Sequence, residues 1–491
     1  MRYSKVTSLL LAAVVAGSSM SVQAFAAHSE APAQYEKLYS ITSPYAQVDW
    51  DSFGQYKADF HAHSTNSDGG VLTRDTVEDH YAKGYDILSM TDHNYLTTRW
   101  SETAKGAMDA DREKEIVAGV GRDGRGMLDI YEADEQSVVD HINSFFANFN
   151  NAAGATMAST IAAVQDAGGI THINHPGRYT GGKKGGEAGI AASNNPDTVK
   201  KYVDLFMAYD SCVGMEIINK IDNESRCDRI LWDNILQQTM PEGRFVWGFS
   251  NDDTHSLNAT GYSFNMMLLP ELSQEETRNA METGAFYAVS RVSRLDGINA
   301  NLPDGRAMPG SGNDDTLYLL EQTTPSITDI EVDEKENAIT ITGDNYDKIE
   351  WIADGQVIAT GETLDLNDYE DEIGSYVRAQ LKSETGIAFT QPFGVEERAP
   401  EKLELTAVSS QNRQATIQFD VASANGKGYV VFLSDSGKEG TFLPYTNVNY
   451  NAKGAHIKGL TNGHTYYAYV AFVQDNAITQ VSQTVVLTPG K

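Results

Sequence analysis

Paired histidines and a repeated acid-histidine spacing are the features of this chain that point most directly to a metal site. Of its 11 histidines, two stand one residue apart in the segment DFHAHSTNSDGG, as His61 and His63. Alternate residues of a strand face the same side, so both imidazoles can reach one metal ion. The segment DTH repeats the spacing with Asp253 and His255. Carboxylate beside neutral imidazole predicts a site for Mn, Fe or Zn.

Two further histidines are predicted at the ends of strands. His93 closes the segment ILSMTDH, and His175 is followed by Pro176, which ends its strand. From about residue 48 to residue 290, short apolar runs alternate with helical patterns, which predicts a parallel sheet, most simply closed as a barrel. In a barrel the carboxyl ends of the strands meet at one mouth, so these strand ends are predicted neighbours in space.

The order of these short segments resembles a known family. DFHAHSTNSDGG, MTDHN, NHPGR and NDDTH, with a glutamate between the second and third, resemble the PHP (polymerase and histidinol phosphatase) family of metal-dependent phosphoesterases over residues 45–312. The resemblance implies a distorted (β/α)7, TIM-like barrel that holds up to three divalent ions at its mouth. The fold class expected is therefore a multidomain protein, with this α/β barrel followed by two all-β sandwich domains.

The resemblance also implies which residues bind the ions. Grouped by ion, the implied ligands are His61, His63 and Asp253 for the first, the bridging Glu135 with His141 and His175 for the second, and Asp68, His93 and His255 for the third. The bridging position departs from the family pattern, because Ala133-Asp134-Glu135 stands where Gly-x-Glu is usual. Glu135 is preferred there, with Glu132 as the alternative. His141 depends on the same alignment and could instead be a partly exposed helix histidine.

The expected reaction is hydrolysis of a phosphate ester. The resemblance implies that water bridging two of the ions attacks phosphorus in line. Arg178, three residues after His175, is placed where its guanidinium could clamp the phosphate through two parallel hydrogen bonds, with a surface ion pair as the alternative. Asp253 or His255 is expected to assist protonation of the leaving oxygen. His80, in a helical pattern, is predicted to be structural.

Charge limits the substrates. The net charge is -31, from 68 acidic and 37 basic residues, so a long nucleic acid is repelled and a small phosphorylated substrate is favoured. Small phosphomonoesters, nucleotides and short oligonucleotides all fit. Two other classes remain open: a non-catalytic metal-binding or adhesion protein, and a metal-dependent hydrolase of a non-phosphate bond.

The first residues predict export. Arg2 and Lys5 precede a short apolar run and the small-residue pattern that ends at Ala26, so residues 1–26 are expected to be a cleaved signal peptide. The protein is then secreted or periplasmic, with no membrane anchor. Its two cysteines, Cys212 and Cys227, are expected to form either one disulfide or two buried thiols.

The C-terminal part is predicted to be all-β. Short alternating strands with turn signals indicate an Ig-like sandwich over residues 323–398 and a second sandwich over residues 399–491. In the second, Leu460, an Asn-Gly turn and Tyr466 resemble the tyrosine corner of fibronectin type III domains. These β domains carry no recognisable catalytic set, so a spacing role or an unknown extracellular partner is expected for them.

Overall fold

A computed structural model describes residues 35–150, 155–420 and 427–490, so the expected signal peptide lies outside the described residues. These residues divide into two units, one of residues 35–36 with 400–420 and 427–490, and one of residues 37–150 with 155–399. Within the described ranges, none of the helices has both the length and the apolarity needed to cross a membrane.

The larger unit contains the α/β region. Its first strands are β1 (Tyr39–Thr42), β2 (Gly54–Ala62), β3 (Ile87–Met90), β4 (Leu128–Asp129), β5 (Asp134–Gln136), β6 (Ile142–Phe145), β7 (Ile170–Ile173), β8 (Cys212–Asn219), β9 (Trp247–Asn251), β10 (Ser263–Leu269) and β11 (Phe286–Ser290). Its helices are α1 (Thr73–Ala82), α2 (Ala110–Val117), α3 (Met157–Asp166), α4 (Gly177–Thr180), α5 (Gly186–Ser193), α6 (Pro196–Ala208), α7 (Asp228–Thr239) and α8 (Gln274–Thr283). Short 3-10 helices cover Trp100–Glu102, Gly182–Lys184, Met240–Glu242, Leu257–Ala259 and Asp314–Glu321.

Helix α6 illustrates how local sequence builds this frame. The side chain of Asn195 accepts the backbone N–H groups of Asp197 and Thr198, which caps the start of the helix. One face is apolar at helical spacing and is buried, with the side chains of Val199, Tyr202, Leu205 and Phe206. The buried face joins the apolar core around β7 and β8, so the helix covers the strands that lead to the histidine-rich strand ends.

The strands form two sheets, where the sequence predicts one closed barrel. One sheet has the order β5-β6-β7-β8-β9, and the other contains β11-β10-β2-β3-β4. Isolated bridges join them, between His93 and Glu135 and between Ala62 and Thr254. Where β9 faces β10, the side-chain amide of Asn265 bonds the backbone of Ser250 through both its oxygen and its nitrogen. A side-chain amide thus stands in for part of a backbone ladder, so continuous barrel pairing is not formed.

The sheet that contains β2 continues into the next part of the chain. The strands there are β12 (Ser326–Asp333), β13 (Ala338–Asp344), β14 (Lys348–Ala353), β15 (Gln356–Thr360), β16 (Thr363–Asp365), β17 (Tyr376–Ser383), β18 (Gly386–Phe389) and β19 (Phe393–Glu397), with a 3-10 helix at Leu366–Tyr369. β18 pairs with β11, and β19 pairs with β1. In the segment that the sequence assigns to an Ig-like sandwich, β14, β15, β17, β18 and β19 therefore share an 11-stranded sheet with the α/β region, while β12, β13 and β16 form a sheet of their own.

A buried ion pair reinforces this continuity. The guanidinium of Arg378, on β17, donates to both carboxylate oxygens of Asp233, on α7, at 2.8 and 2.7 Å. The hydroxyl of Tyr376 donates to the same carboxylate at 3.0 Å. Both ion-pair side chains are more than nine-tenths buried, so the α/β region and the following β segment are joined by charge as well as by strand pairing.

The smaller unit is a β-sandwich of the fibronectin type III kind. Its strands are β20 (Glu401–Leu403), β21 (Leu405–Gln411), β22 (Gln414–Phe419), β23 (Tyr429–Ser434), β24 (Leu443–Tyr445), β25 (Val448–Asn451), β26 (Gly454–Lys458), β27 (Tyr466–Gln474), β28 (Ala477–Ser482) and β29 (Val485–Leu487). They form a six-stranded and a four-stranded sheet. The hydroxyl oxygen of Tyr466 accepts the backbone N–H of Thr461 at 3.1 Å, five residues upstream, as a tyrosine corner does.

The two cysteines are free thiols. Cys212 lies on β8 and Cys227 immediately before α7, and both are buried. Burial raises the pKa of each thiol to about 11. The sequence leaves open one disulfide or two buried thiols, and the structure has two buried thiols.

Candidate metal centre

All nine of the ligands expected from the sequence come together where the carboxyl ends of the parallel strands meet. His61 lies on β2 and Glu135 on β5, His63 directly follows β2 and His141 directly precedes β6, and the remaining ligands lie in the loops that follow β2, β3, β7 and β9. Their ligand atoms form overlapping groups within 4.8 Å of one another, namely His63, Asp68, His93 and His255; His61, His63 and Glu135; and His93, Glu135 and His141. His175 and Asp253 adjoin these groups, 3.9 Å apart.

Glu135 occupies the middle of the cluster. Its Oε1 lies 3.3 Å from His61 Nε2, 2.8 Å from His141 Nδ1 and 3.4 Å from His175 Nε2, and its Oε2 lies 3.5 Å from His63 Nε2 and 2.6 Å from His93 Nδ1. The competing residue, Glu132, is half-buried and accepts a hydrogen bond from Asn148 at 3.1 Å. Of the two glutamates, Glu135 alone is placed to bridge.

Asp253 provides a second carboxylate. Its Oδ1 lies 3.2 Å from His63 Nε2, 3.5 Å from His61 Nε2 and 3.3 Å from His255 Nδ1. Its Oδ2 is 3.1 Å from the Nζ of Lys220. Burial raises the pKa of Asp253, but the charges of Lys220 and His61 outweigh burial and hold it well below its usual range. Asp253 is therefore a carboxylate anion at neutral pH.

Asp68 lies on the solvent side of the cluster. Its Oδ1 lies 3.3 Å from His255 Nε2 and 3.5 Å from His93 Nε2, and its side chain is 57% exposed. Hydrogen bonds from His255 and His93 hold the pKa of Asp68 well below its usual range. The group of Asp68, His93 and His255 is thus the most exposed of the three ligand groups.

A tight turn carries Asp68 to this place. Asp92 accepts hydrogen bonds from the backbone N–H groups and hydroxyls of both Ser64 and Ser67. A Cβ at Gly69 would lie 2.7 Å from the backbone nitrogen of Ser64, so only glycine fits. These contacts explain the DFHAHSTNSDGG segment: its strand presents two histidines and its turn folds back to present the aspartate.

The donor set fits divalent ions. Buried atoms without a hydrogen-bond partner gather here, among them His61 Nε2, His63 Nε2, His93 Nδ1, Glu135 Oε2 and Asp253 Oδ1. Each such atom costs ~1–3 kcal/mol unless another partner satisfies it. Burial lowers the pKa of His63 to about 4, so its imidazole is neutral and its lone pair is free. Converging imidazole nitrogens and ionised carboxylate oxygens are what Mn, Fe and Zn ions bind.

Glu216 is a candidate site residue that the sequence reading missed. It is fully buried on β8, and its carboxylate accepts from His61 Nδ1 and from the backbone N–H of His175, each at 2.8 Å. Because Nδ1 of His61 is held in this way, its Nε2 faces Glu135, which is the usual carboxylate-histidine-metal arrangement. A charged residue in the apolar run GMEIIN was the signal that could have revealed it.

Lys220 is the second missed residue. It directly follows β8, and only 15% of its side chain is exposed. Its φ angle is 58°, and those of His175 and Asp253 are 26° and 47°, so the residues after three adjacent strands are all left-handed without being glycine. Such backbone costs ~1–3 kcal/mol per residue and gathers at functional sites. Here it turns a histidine, a lysine and an aspartate toward one point.

Arg178 lies beside the cluster, in the short helix α4. It is exposed and forms no ion pair with any part of the chain that the structure describes. The ring of the next residue, Tyr179, lies 5.3 Å from that of His141 and 5.9 Å from that of His175. Tyr179 thus contacts the cluster, while the guanidinium of Arg178 has no ion-pair partner among the described residues. His141 directly precedes β6, so the alternative of a helix histidine is wrong.

Comparison with known proteins gives structural matches. No family model and no curated protein matches the chain. A two-domain protein from Bacteroides vulgatus ATCC 8482, containing a PHP-like metal-dependent phosphoesterase, is 17% identical over 79% of this chain and 94% of that chain, with a TM-score of 0.36. An amidohydrolase from Chromobacterium violaceum with bound sulfate and no metal is 15% identical over 40% and 87%, with a TM-score of 0.26.

The smaller unit has matches of its own kind. The FN5 domain of Drosophila Lar is 15% identical over 19% of this chain and 100% of that domain, with a TM-score of 0.15. The chain is thus similar to a PHP-like metal-dependent phosphoesterase and to fibronectin type III domains, and it carries buried clusters of histidine, aspartate and glutamate.

Proposed function

We propose that this protein is an exported hydrolase that cleaves phosphate esters with the help of divalent ions. The observation that carries the proposal is the convergence of unpartnered, buried imidazole and carboxylate atoms on one point at the strand ends. We also propose that the two bridged sheets are the halves of a distorted (β/α)7 barrel. The bridges at His93 with Glu135 and Ala62 with Thr254 support this.

The nine expected ligands divide into three groups, so we propose three ions, of Mn, Fe or Zn. When bound, such ions supply hydroxide near neutral pH and stabilise charge on phosphoryl oxygens. Glu135 lies against histidines of every group and is proposed to bridge. Glu216 fixes the ring of His61, which keeps the ligand nitrogen aimed at the centre.

The chain's own cations are proposed to hold the phosphate. Arg178 is free of ion pairs within the described chain, and Lys220 lies 3.1 Å from Asp253. Both are next to the cluster, so a phosphoryl group bound there meets two positive side chains. His255, 29% exposed, has Nε2 on the solvent side near Asp68. Its Nδ1 faces the backbone carbonyl of Asp253 at 2.8 Å, so Nε2 is the atom that would hold the third ion, and His255 is proposed as a ligand and not as the acid for the leaving oxygen.

The substrate is proposed to be small. A net charge of -31 repels long polyanions, while Arg178 and Lys220 offer positive charge locally. Phosphomonoesters, nucleotides and short oligonucleotides in the secreted or periplasmic space are the proposed range. The fibronectin-like unit is proposed to bind an extracellular partner.

The test is to purify the exported form, count its metals, and assay p-nitrophenyl phosphate, bis-p-nitrophenyl phosphate, nucleotides and short oligonucleotides. His61→Ala should lose ion binding and on the order of 10³-fold in kcat/KM, ~4 kcal/mol. The matched control is His456→Ala, whose ring only bonds Thr416 in the smaller unit and which should match the wild type. Metal-loaded protein that hydrolyses none of these esters would favour the adhesion or non-phosphate alternative.

Lys220→Met should lower kcat/KM by about 10²-fold while the metal content stays near that of the wild type. The change removes a cation but no metal-binding atom. Lys183→Met is the control, because Lys183 is paired with Glu224 at 2.9 Å and should have little effect. If Lys220→Met left kcat/KM unchanged, the lysine would be only the counter-ion of Asp253.

A further inference from the structure

A buried polar network lies directly behind the metal centre. We call it the anchor network and define it as Asp59, His80, Tyr85 and Asp252. All four side chains are fully buried. Asp59 precedes His61 by two residues and Asp252 directly precedes Asp253, so the network joins the two chain segments that supply ligands of the first ion.

Asp59 ties these segments together. Its Oδ1 accepts the backbone N–H of His61 at 3.1 Å and that of Asp252 at 3.3 Å. One carboxylate oxygen therefore fixes the end of β2 relative to the end of β9. In the described structure these strands form no backbone ladder: they are joined by the isolated bridge between Ala62 and Thr254 and by the side chain of Asn251, which accepts the N–H of Phe60 at 3.2 Å.

His80 holds Asp59 in that orientation. Its Nε2 lies 3.1 Å from Asp59 Oδ2, and its Nδ1 donates to the carbonyl of Thr76 at 2.8 Å, within α1. The ring also packs edge-on against Tyr85, with centroids 4.9 Å apart. The imidazole thus has a fixed direction, and the carboxylate it contacts is fixed with it.

Asp252 is held from the other side. The hydroxyl of Tyr85 donates to it through a short hydrogen bond. Its carboxylate also accepts the backbone N–H groups of Gly261, Tyr262 and Ser263, at 2.6, 2.8 and 2.9 Å. These bonds set the path of the chain on both sides of Asp253 and His255.

The anchor network does not itself have the properties of a metal site. Asp59, His80 and Asp252 do approach within 4.8 Å. Unlike the atoms of the metal centre, however, none of their side-chain atoms lacks a hydrogen-bond partner in the described structure. An ion would have to displace several good hydrogen bonds, so the network has a structural role toward the neighbouring ligands.

We infer that His80, acting through Asp59, is a positioning residue that sets the metal affinity of the first ligand group. The inference rests on the proposed metal centre. Hydrogen-bond partners behind metal ligands typically change metal affinity by about 10–100-fold. Two hydrogen bonds, from His80 to Asp59 and from Asp59 to the backbone of His61, lie between His80 and the ligands. Its effect on metal affinity is therefore expected near the lower end of that range.

The experiment compares metal affinity in full-length variants, using Zn and Mn in competition with a chelator, together with thermal unfolding of the metal-free protein. His80→Leu should weaken the affinity of at least one ion by about tenfold or more. His80→Gln keeps a donor toward Asp59 and should restore much of the affinity. If His80→Leu fails to fold, Tyr85→Phe, which removes only the hydroxyl on Asp252, should weaken affinity by about fivefold.

The control is Arg125→Leu. Arg125 pairs with Asp86, which accepts the backbone N–H of Lys57, and it also donates to the carbonyl of Gln55 near the start of β2. The substitution should lower thermal stability without changing metal affinity. Unchanged affinity in His80→Leu, or an equal loss in Arg125→Leu, would overturn the inference, as would a wild-type protein that binds no ion. A wild-type protein that binds metal but hydrolyses no ester would contradict only the proposed function.

Discussion

Glu135→Gln will remove metal binding from the centre and lower kcat/KM by on the order of 10³-fold, or ~4 kcal/mol. The substitution keeps the shape of the side chain and removes its charge. Five imidazole nitrogens lie 2.6 to 3.5 Å from this carboxylate, and they belong to all three ligand sets. Burial raises the pKa of Glu135, but the charge of His61 and hydrogen bonds from His141 and His175 hold it well below its usual range.

The measurements are metal content by elemental analysis and kcat/KM with p-nitrophenyl phosphate. Glu132→Gln is the matched control, because Glu132 lies three residues earlier but bonds only Asn148 at the rim. It should retain full metal content and activity. Equal losses of metal content and activity in the two variants would show that the effect is not specific to Glu135 and would contradict its bridging role.

Arg378→Met will destabilise the larger unit by ~3–5 kcal/mol, the usual cost of leaving one partner of a buried ion pair unpaired. Asp233 would then keep a buried carboxylate with only the Tyr376 hydroxyl as a donor. The loss should appear in chemical denaturation followed by tryptophan fluorescence, because Trp232 is buried beside Asp233 and lies 5.1 Å from the guanidinium.

The double variant Arg378→Met with Asp233→Leu should recover part of that loss, since it removes the unpaired charge. Arg306→Met is the control: Arg306 pairs with Asp304 and Asp315 at the exposed surface and should leave the midpoint unchanged. A drop of similar size in this control would show that the loss reflects arginine replacement in general.

The candidate ligands could be predicted because each belongs to a short motif at a strand end. Spacing places His61 and His63 on one face, and the resemblance supplies partners that are distant in sequence, such as Glu135 and Asp68. Local patterns also predict α6 and α8, where Asn195 and Ser273 cap the helices. These features depend on neighbouring residues, and a single sequence carries that information.

The rest depends on contacts between distant parts of the chain. The pairing of β18 with β11 could not be predicted from the alternation of apolar and polar residues, because that alternation predicts a strand but not the strand with which it pairs. The contact between β9 and β10 could not be predicted either, because it is made by the side chain of Asn265 on the backbone of Ser250, which no local pattern indicates. His80 was predicted to be structural from its helix alone, and nothing local indicates its contact with Asp59.

The shared sheet also bears on how such a protein can be assembled from parts. Residues 400–490 form strands β20 to β29 in a unit that also includes Glu36, which is bridged to Ala477, so that stretch and its short N-terminal contact are a cassette that recombination could attach elsewhere. Residues 323–399 are not, because β18 and β19 are hydrogen-bonded to β11 and β1. A gene fusion boundary placed before residue 323 would separate β18 and β19 from the strands to which they are hydrogen-bonded. Inheritance of the histidine cluster therefore carries the following β segment along with it.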